Sequence, residues 1–104
     1  MNAPAANALY FDAVAELSFT ELATVSGLPE EDLRALVRYG ALAPRDPDAP
    51  TWTFEARWVA VARAASRIRR DFELDPHAVS VVLCYRERIE VLEAELRMLR
   101  ALHG

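Results

Sequence analysis

The chain is 104 residues long, with twelve arginines and no lysine set against sixteen aspartates and glutamates, a net charge of -4 and 53% apolar residues. That length and apolar content suit one small packed domain and exclude a highly charged disordered chain. The single cysteine, Cys84, excludes an internal disulfide, no Cys and His cluster has metal-ligand spacing, and no apolar run approaches the roughly 18–20 residues of a membrane helix, so the sequence reads as a cytoplasmic protein held by packing alone, without metal or cofactor.

Residues 1–17 read as an N-terminal tail, Ala- and Asn-rich at first, with a candidate short strand at Leu9, Tyr10 and Phe11. A capping box follows: Ser18 caps a helix while Glu21 reaches back, and Leu17 and Leu22 flank the start as a hydrophobic staple. This predicts a first helix over 19–26, ended by Gly27. Leu28-Pro29 opens a second, proline being tolerated where a first-turn N–H has no helical partner, and Glu30, Glu31 and Asp32 gather at the positive end of its dipole. Leu33, Leu36 and Val37 form its buried stripe, and Gly40 stops it.

Residues 43–50 hold three prolines and read as a loop, with Trp52, Thr53 and Phe54 as a short strand, so 41–54 reads as a small hairpin wing after a helix-turn-helix. A third helix is expected over 55–70. Trp58, Val61, Ala62, Ala65 and Ile68 mark its core face, and Arg63, Arg67 and Arg70 line another. Asp75-Pro76 then restarts the chain as N-cap and first helical residue, after an 18–74 unit of helix-turn-helix, wing and third helix.

Within the segment 75–104 no proline follows Pro76, and no glycine comes before the last residue. Val82, Tyr85, Ile89, Leu92, Leu96 and Leu99 alternate spacings of three and four, the seam of a coiled coil flanked by Arg86, Arg88, Glu93, Glu95 and Arg100. A helix over 75–103 spans about 43 Å, longer than so small a domain can cover. Its distal half, carrying Ile89, Leu92, Leu96 and Leu99, is the candidate seam of a homodimer.

The fold class is therefore mainly α, with a small β wing and a long C-terminal coiled-coil helix. The order helix, turn, helix, wing, helix, long helix resembles the MerR-type winged helix-turn-helix. Within it, Glu21-Leu22-Ala23, Gly27-Leu28, the run from Leu36 to Leu42 with Pro44, Trp52-Thr53-Phe54, and Arg67 to Asp75 resemble the CbpM chaperone-modulator family over about residues 17–100. The sequence departs from that family at Glu73, where glycine is common, and at Pro29, where a serine cap is common. The resemblance implies a protein that binds the J-domain of a DnaJ-like co-chaperone, CbpA, and restrains it. It also implies that the J-domain helix concerned is a basic one, which otherwise docks on DnaK.

The alternative function is a MerR-type DNA-binding transcriptional regulator. Such proteins typically carry Arg-Tyr-Tyr in the second helix and an Arg in the wing, where this chain has Arg34, Ala35, Leu36 and Trp52. Residues 18–54 also hold three arginines against six acids, a net charge of -3 that opposes docking on phosphate. The five arginines of 55–70 against Glu55 are the feature that favours nucleic acid.

The candidate partner-binding residues are Glu30, Glu31, Asp32, Asp46 and Asp48, a negative patch suited to a basic helix, and Trp52, an aromatic anchor on the wing. His77 and His103 have no catalytic companions, and the three glycines stand apart at 27, 40 and 104, so no phosphate-cradling loop and no catalytic residue is predicted. Cys84 reads as a small buried hydrophobe.

Overall fold

The computed structural model describes residues 15–104, so the candidate strand at Leu9–Phe11 lies outside the described residues. The element order is β1 (Glu16–Ser18), α1 (Phe19–Ser26), α2 (Glu30–Arg38), β2 (Thr53–Glu55), α3 (Trp58–Phe72) and α4 (Pro76–His103). The architecture is mainly helical, as the sequence predicts.

The two strands form an antiparallel pair with Leu17 opposite Phe54. Both of these side chains are buried while their strand neighbours are not, the alternation of a sheet with one face on a core. The wing is therefore not a hairpin within 41–54. Its strand pairs with the segment just before α1, and the loop after α2 closes onto it through Arg45 N–H, which donates to the Thr53 carbonyl at 2.8 Å. Ala56 N–H donates to Ala15 at 3.3 Å, extending the ladder, and this delays the third helix to Trp58 rather than 55. The register sets Glu16 directly against Glu55, a like-charge pair that is unfavourable on its own. Arg45 resolves it, lying 2.7 Å from Glu16 and 3.7 Å from Glu55. Arg57 hydrogen-bonds Glu55 at 2.7 Å, and that bond holds the Glu55 carboxyl below the usual carboxylate range against a smaller desolvation effect.

The capping box at Ser18 is formed in full: the Ser18 hydroxyl accepts from Glu21 N–H at 3.1 Å, and the Glu21 carboxylate accepts from Ser18 N–H at 2.8 Å. Pro29 sits one position earlier than the first-turn placement expected, as the N-cap of α2, its carbonyl accepting from Leu33 N–H at 3.0 Å. At the other end Gly40, with φ +82°, donates to Val37, and Ala41 donates to Leu36. This is a Schellman turn, which requires a left-handed residue where glycine stands.

The core gathers Leu22, Leu28, Leu33, Leu36, Leu42 and Phe54 against Ala62, Ala65 and Val79. Ala62, Ala64, Ala65 and Ser66 make one flank of α3 almost smooth, and α1 packs against that helix. α4 meets α2 and α3 only at its start, where Asp75 accepts from Ala78 N–H at 2.9 Å and Pro76 opens the first turn, as predicted. Val79 is its one buried residue.

Between α3 and α4, Glu73 holds φ +53°, the one non-glycine residue in the left-handed region among those described. A side chain there costs about 1–2 kcal/mol relative to glycine, less what glycine loses in chain entropy. Glu73→Gly is therefore expected to raise stability by about 1 kcal/mol, read as a Tm increase of about 4–8 °C in a thermal melt. The opposite sign is expected at Asp32, whose mostly buried carboxylate pairs with Arg69 and ties the start of α2 to the end of α3. Asp32→Asn should lower Tm by about the same amount.

Candidate interaction surfaces

The six residues expected to meet a partner separate into three situations. Glu30 and Glu31 are exposed in the first turn of α2, but Asp32 turns inward to Arg69 and contributes to the fold. Arg34 is exposed one turn along the same helix and lays its guanidinium 4.7 Å from the centre of the Phe19 ring, so a cation lies among the acids. Asp46 and Asp48 lie exposed in the wing loop, where the Asp46 carboxylate accepts from Asp48 N–H at 3.1 Å and so shapes its own turn.

Trp52 is half-buried rather than free. Its indole N–H donates to the Pro47 carbonyl at 3.2 Å, and its ring makes edge-on contacts with Phe19 and Phe54 at 5.9 and 6.4 Å. It pins the loop to the core while leaving one side open. That side forms a shallow shelf with Phe19, Pro50 and Arg34. An amphipathic surface of this kind, aromatic with charges around it, suits a helix of another protein better than a small molecule.

The positions that read DNA in MerR regulators are placed differently here. Ala35 and Leu36 are buried in the core, and only Arg34 of the three faces outward. The positive face of α3 persists as Arg63, Arg67 and Arg70, all exposed. Arg63 donates to the Val25 carbonyl at 3.2 Å, while Arg69 of the same helix pairs with Asp32 and Arg57, just before it, with Glu55.

From Cys84 to the end of α4 every residue is exposed. The seam residues Ile89, Leu92, Leu96 and Leu99 are each about half accessible to water in the single chain. Cys84, expected to be buried, is exposed because it lies a hundred degrees of helix rotation beyond Leu83, the last α4 side chain packed against the head. Alongside the first half of the seam runs a groove whose walls are Ala64 and Ile68 of α3 and Val82, Tyr85 and Ile89 of α4. The heptad spacing gives α4's side of this groove. The α3 wall has no such signal, because it exists only once two helices separated by a tight turn lie side by side. The ring of Tyr39 on that of His77, 4.8 Å between centres, is likewise a contact between elements that no local pattern announces.

Among the described residues no group of three or more His, Cys, Asp or Glu is placed to hold a metal ion, and no helix is long and apolar enough to cross a membrane.

A sequence model of the MerR HTH family regulatory proteins matches residues 17–101. Three relatives, from Escherichia coli O139:H28 (strain E24377A / ETEC), Escherichia coli (strain K12 / DH10B) and Shigella boydii serotype 18 (strain CDC 3083-94 / BS512), are each named chaperone modulatory protein CbpM. Each is 32% identical over 83 residues, covering 80% of this chain and 82% of the relative. The chain therefore belongs to the CbpM family of MerR-like helix-turn-helix proteins.

Proposed function

We propose that this protein is a cytoplasmic chaperone modulator that binds the J-domain of a CbpA-like co-chaperone and blocks its engagement of DnaK. The observation that carries the reading is at α2: the helix that enters the DNA groove in MerR regulators here presents Glu30 and Glu31 to solvent and buries Ala35 and Leu36. A basic helix is the complementary partner. Exposed acids steer it and speed encounter, and the aromatic shelf of Phe19 and Trp52 supplies apolar contact area. The mode of action is occupancy, without chemistry, so inhibition follows mass action in the modulator.

Self-association belongs to the same proposal. The distal two-thirds of α4 is exposed on all sides with an apolar stripe along it, and an isolated helix of that length is marginal in water. Pairing through Ile89, Leu92, Leu96 and Leu99 with a second copy covers the stripe and supports the helix.

Calorimetric titration with the isolated J-domain, beside a DNA fragment as parallel titrant, tests the reading. The expected result is J-domain binding at micromolar Kd or tighter, about -8 kcal/mol, and no heat from DNA at physiological salt. Glu30→Arg combined with Glu31→Arg should weaken the complex about tenfold, chiefly through kon. DNA binding without J-domain binding would move the function to transcription, with the arginines of α3 as the first residues to vary.

A further inference from the structure

The arginines on and around α3 divide by what they touch. Arg69 pairs with Asp32 at the start of α2, and Arg57, just before the helix, is held by Glu55. Arg63, Arg67 and Arg70 are exposed, and no ion pair among the described residues uses them. Their spacing of four and three puts all three on one side of the helix, over a rise of about 10 Å. Arg63 engages the Val25 carbonyl through Nε, which leaves the two terminal nitrogens of its guanidinium for a further acceptor. Asp71, exposed just beyond Arg70, is the one acid of α3.

A row of guanidinium groups without carboxylates of its own stands out on a chain of net charge -4. Its complement is a row of carboxylates at the same spacing, which is the pattern of an acidic helix, and Arg meets carboxylate in a two-bond fork. Apolar surface lies directly beside the row. Arg67 is also part of the wall of the groove between α3 and α4, with Ala64 and Ile68 on its own helix and the exposed Val81 and Val82 across from it. Arg86 adds a second cation on the α4 side, whereas Glu90 and Glu93 line the distal end, so the positive part of the groove is the half next to the head.

We propose that this side of α3 docks an acidic amphipathic helix of a partner protein, its carboxylates on Arg63, Arg67 and Arg70 and its apolar side in the proximal half of the groove. The apolar contact supplies affinity and the charge row sets orientation. This polarity is opposite to that of Glu30 and Glu31 on α2, so the surface is distinct from one that takes a basic helix, and the inference does not rest on the J-domain reading. Duplex DNA is the other regularly charged polyanion. Three cations on an acidic chain, edged by Asp71, Glu90 and Glu93, favour a short contact with apolar area over a long phosphate track, which needs more cations on one surface.

The test is fluorescence anisotropy at low salt, with the full chain titrated into a labelled helical peptide of about four turns. The probe carries glutamates in one stripe at alternating spacings of three and four and leucines in the adjoining stripe. The expected result is saturable binding that weakens as salt rises, and a peptide with glutamine for every glutamate should bind about tenfold more weakly. Arg67→Gln combined with Arg70→Gln should cost about tenfold in Kd for the glutamate peptide, and Arg67→Lys combined with Arg70→Lys should keep it within about threefold. Because neither side chain holds an ion pair in the structure, the Tm of both variants should match that of the unsubstituted chain, which separates loss of docking from loss of fold. Equal binding of the glutamate and glutamine peptides, indifference to the double Gln substitution, or absence of binding overturns the proposal. Tighter binding of a duplex DNA of matching length than of the peptide overturns it in favour of a nucleic-acid face.

Discussion

The structure turns on a helix held at one end. α4 is 28 residues, about 42 Å, and the head holds it through its first two turns, with Val79 buried, Leu83 partly so and Asp75 capping the start. Those few contacts fix the direction in which the rest of the helix leaves the domain. They also leave the apolar residues Ile89, Leu92, Leu96 and Leu99 uncovered by the head. A small domain cannot wrap a helix of that length, so the apolar side of its distal part lies open in the single chain.

The head can be small because its central helix is nearly smooth. Ala62, Ala64, Ala65 and Ser66 let α1 approach α3 closely, and the Cβ that an alanine at Gly27 would add would already lie 3.4 Å from the Ser66 hydroxyl. Larger side chains on α3 would push α1 outward and open the layer between Leu22 and Phe54. Close approach also brings the ends of α2 and α3 within reach of an ion pair. Asp32 is used there, and that choice divides the acidic cluster: one carboxylate orients α2 and two remain for solvent or a partner.

Much of this was legible in the sequence because it is local. Ser18 with Glu21, Asp75 with Pro76, and Gly40 after a helical stripe each state an element boundary within a few residues, and each is found where its pattern points. The resemblance to CbpM proteins added the order of elements, and the departure at Glu73 acquires a cause, since that residue occupies the left-handed turn where glycine is the easier choice. What escaped is non-local. The partner of β2 lies nearly forty residues earlier, in a segment with the composition of a tail; Asp32 and Arg69 are joined only after three elements are packed; and Trp52 is drawn toward the core by Phe19 and by the Pro47 carbonyl, which no spacing reveals. Cys84 misled for a related reason. It neighbours two apolar residues in sequence, but the head ends one residue earlier in space.

Reading DNA requires long polar side chains on the outer face of α2, backed by positive charge on the wing. Here positions 35 and 36 have been given to the core, Trp52 is tied into the wing by a hydrogen bond, and acids stand at the helix start, where the dipole favours them at little cost. Each change stabilises the head or is neutral to it, and each removes attraction to phosphate. No rearrangement of the fold is involved. The exposed outer surface keeps the shape of a groove-reading module while its charge suits a basic protein helix. Four of the twelve arginines lie on α3 and four on α4, against two on the helix that would otherwise do the reading.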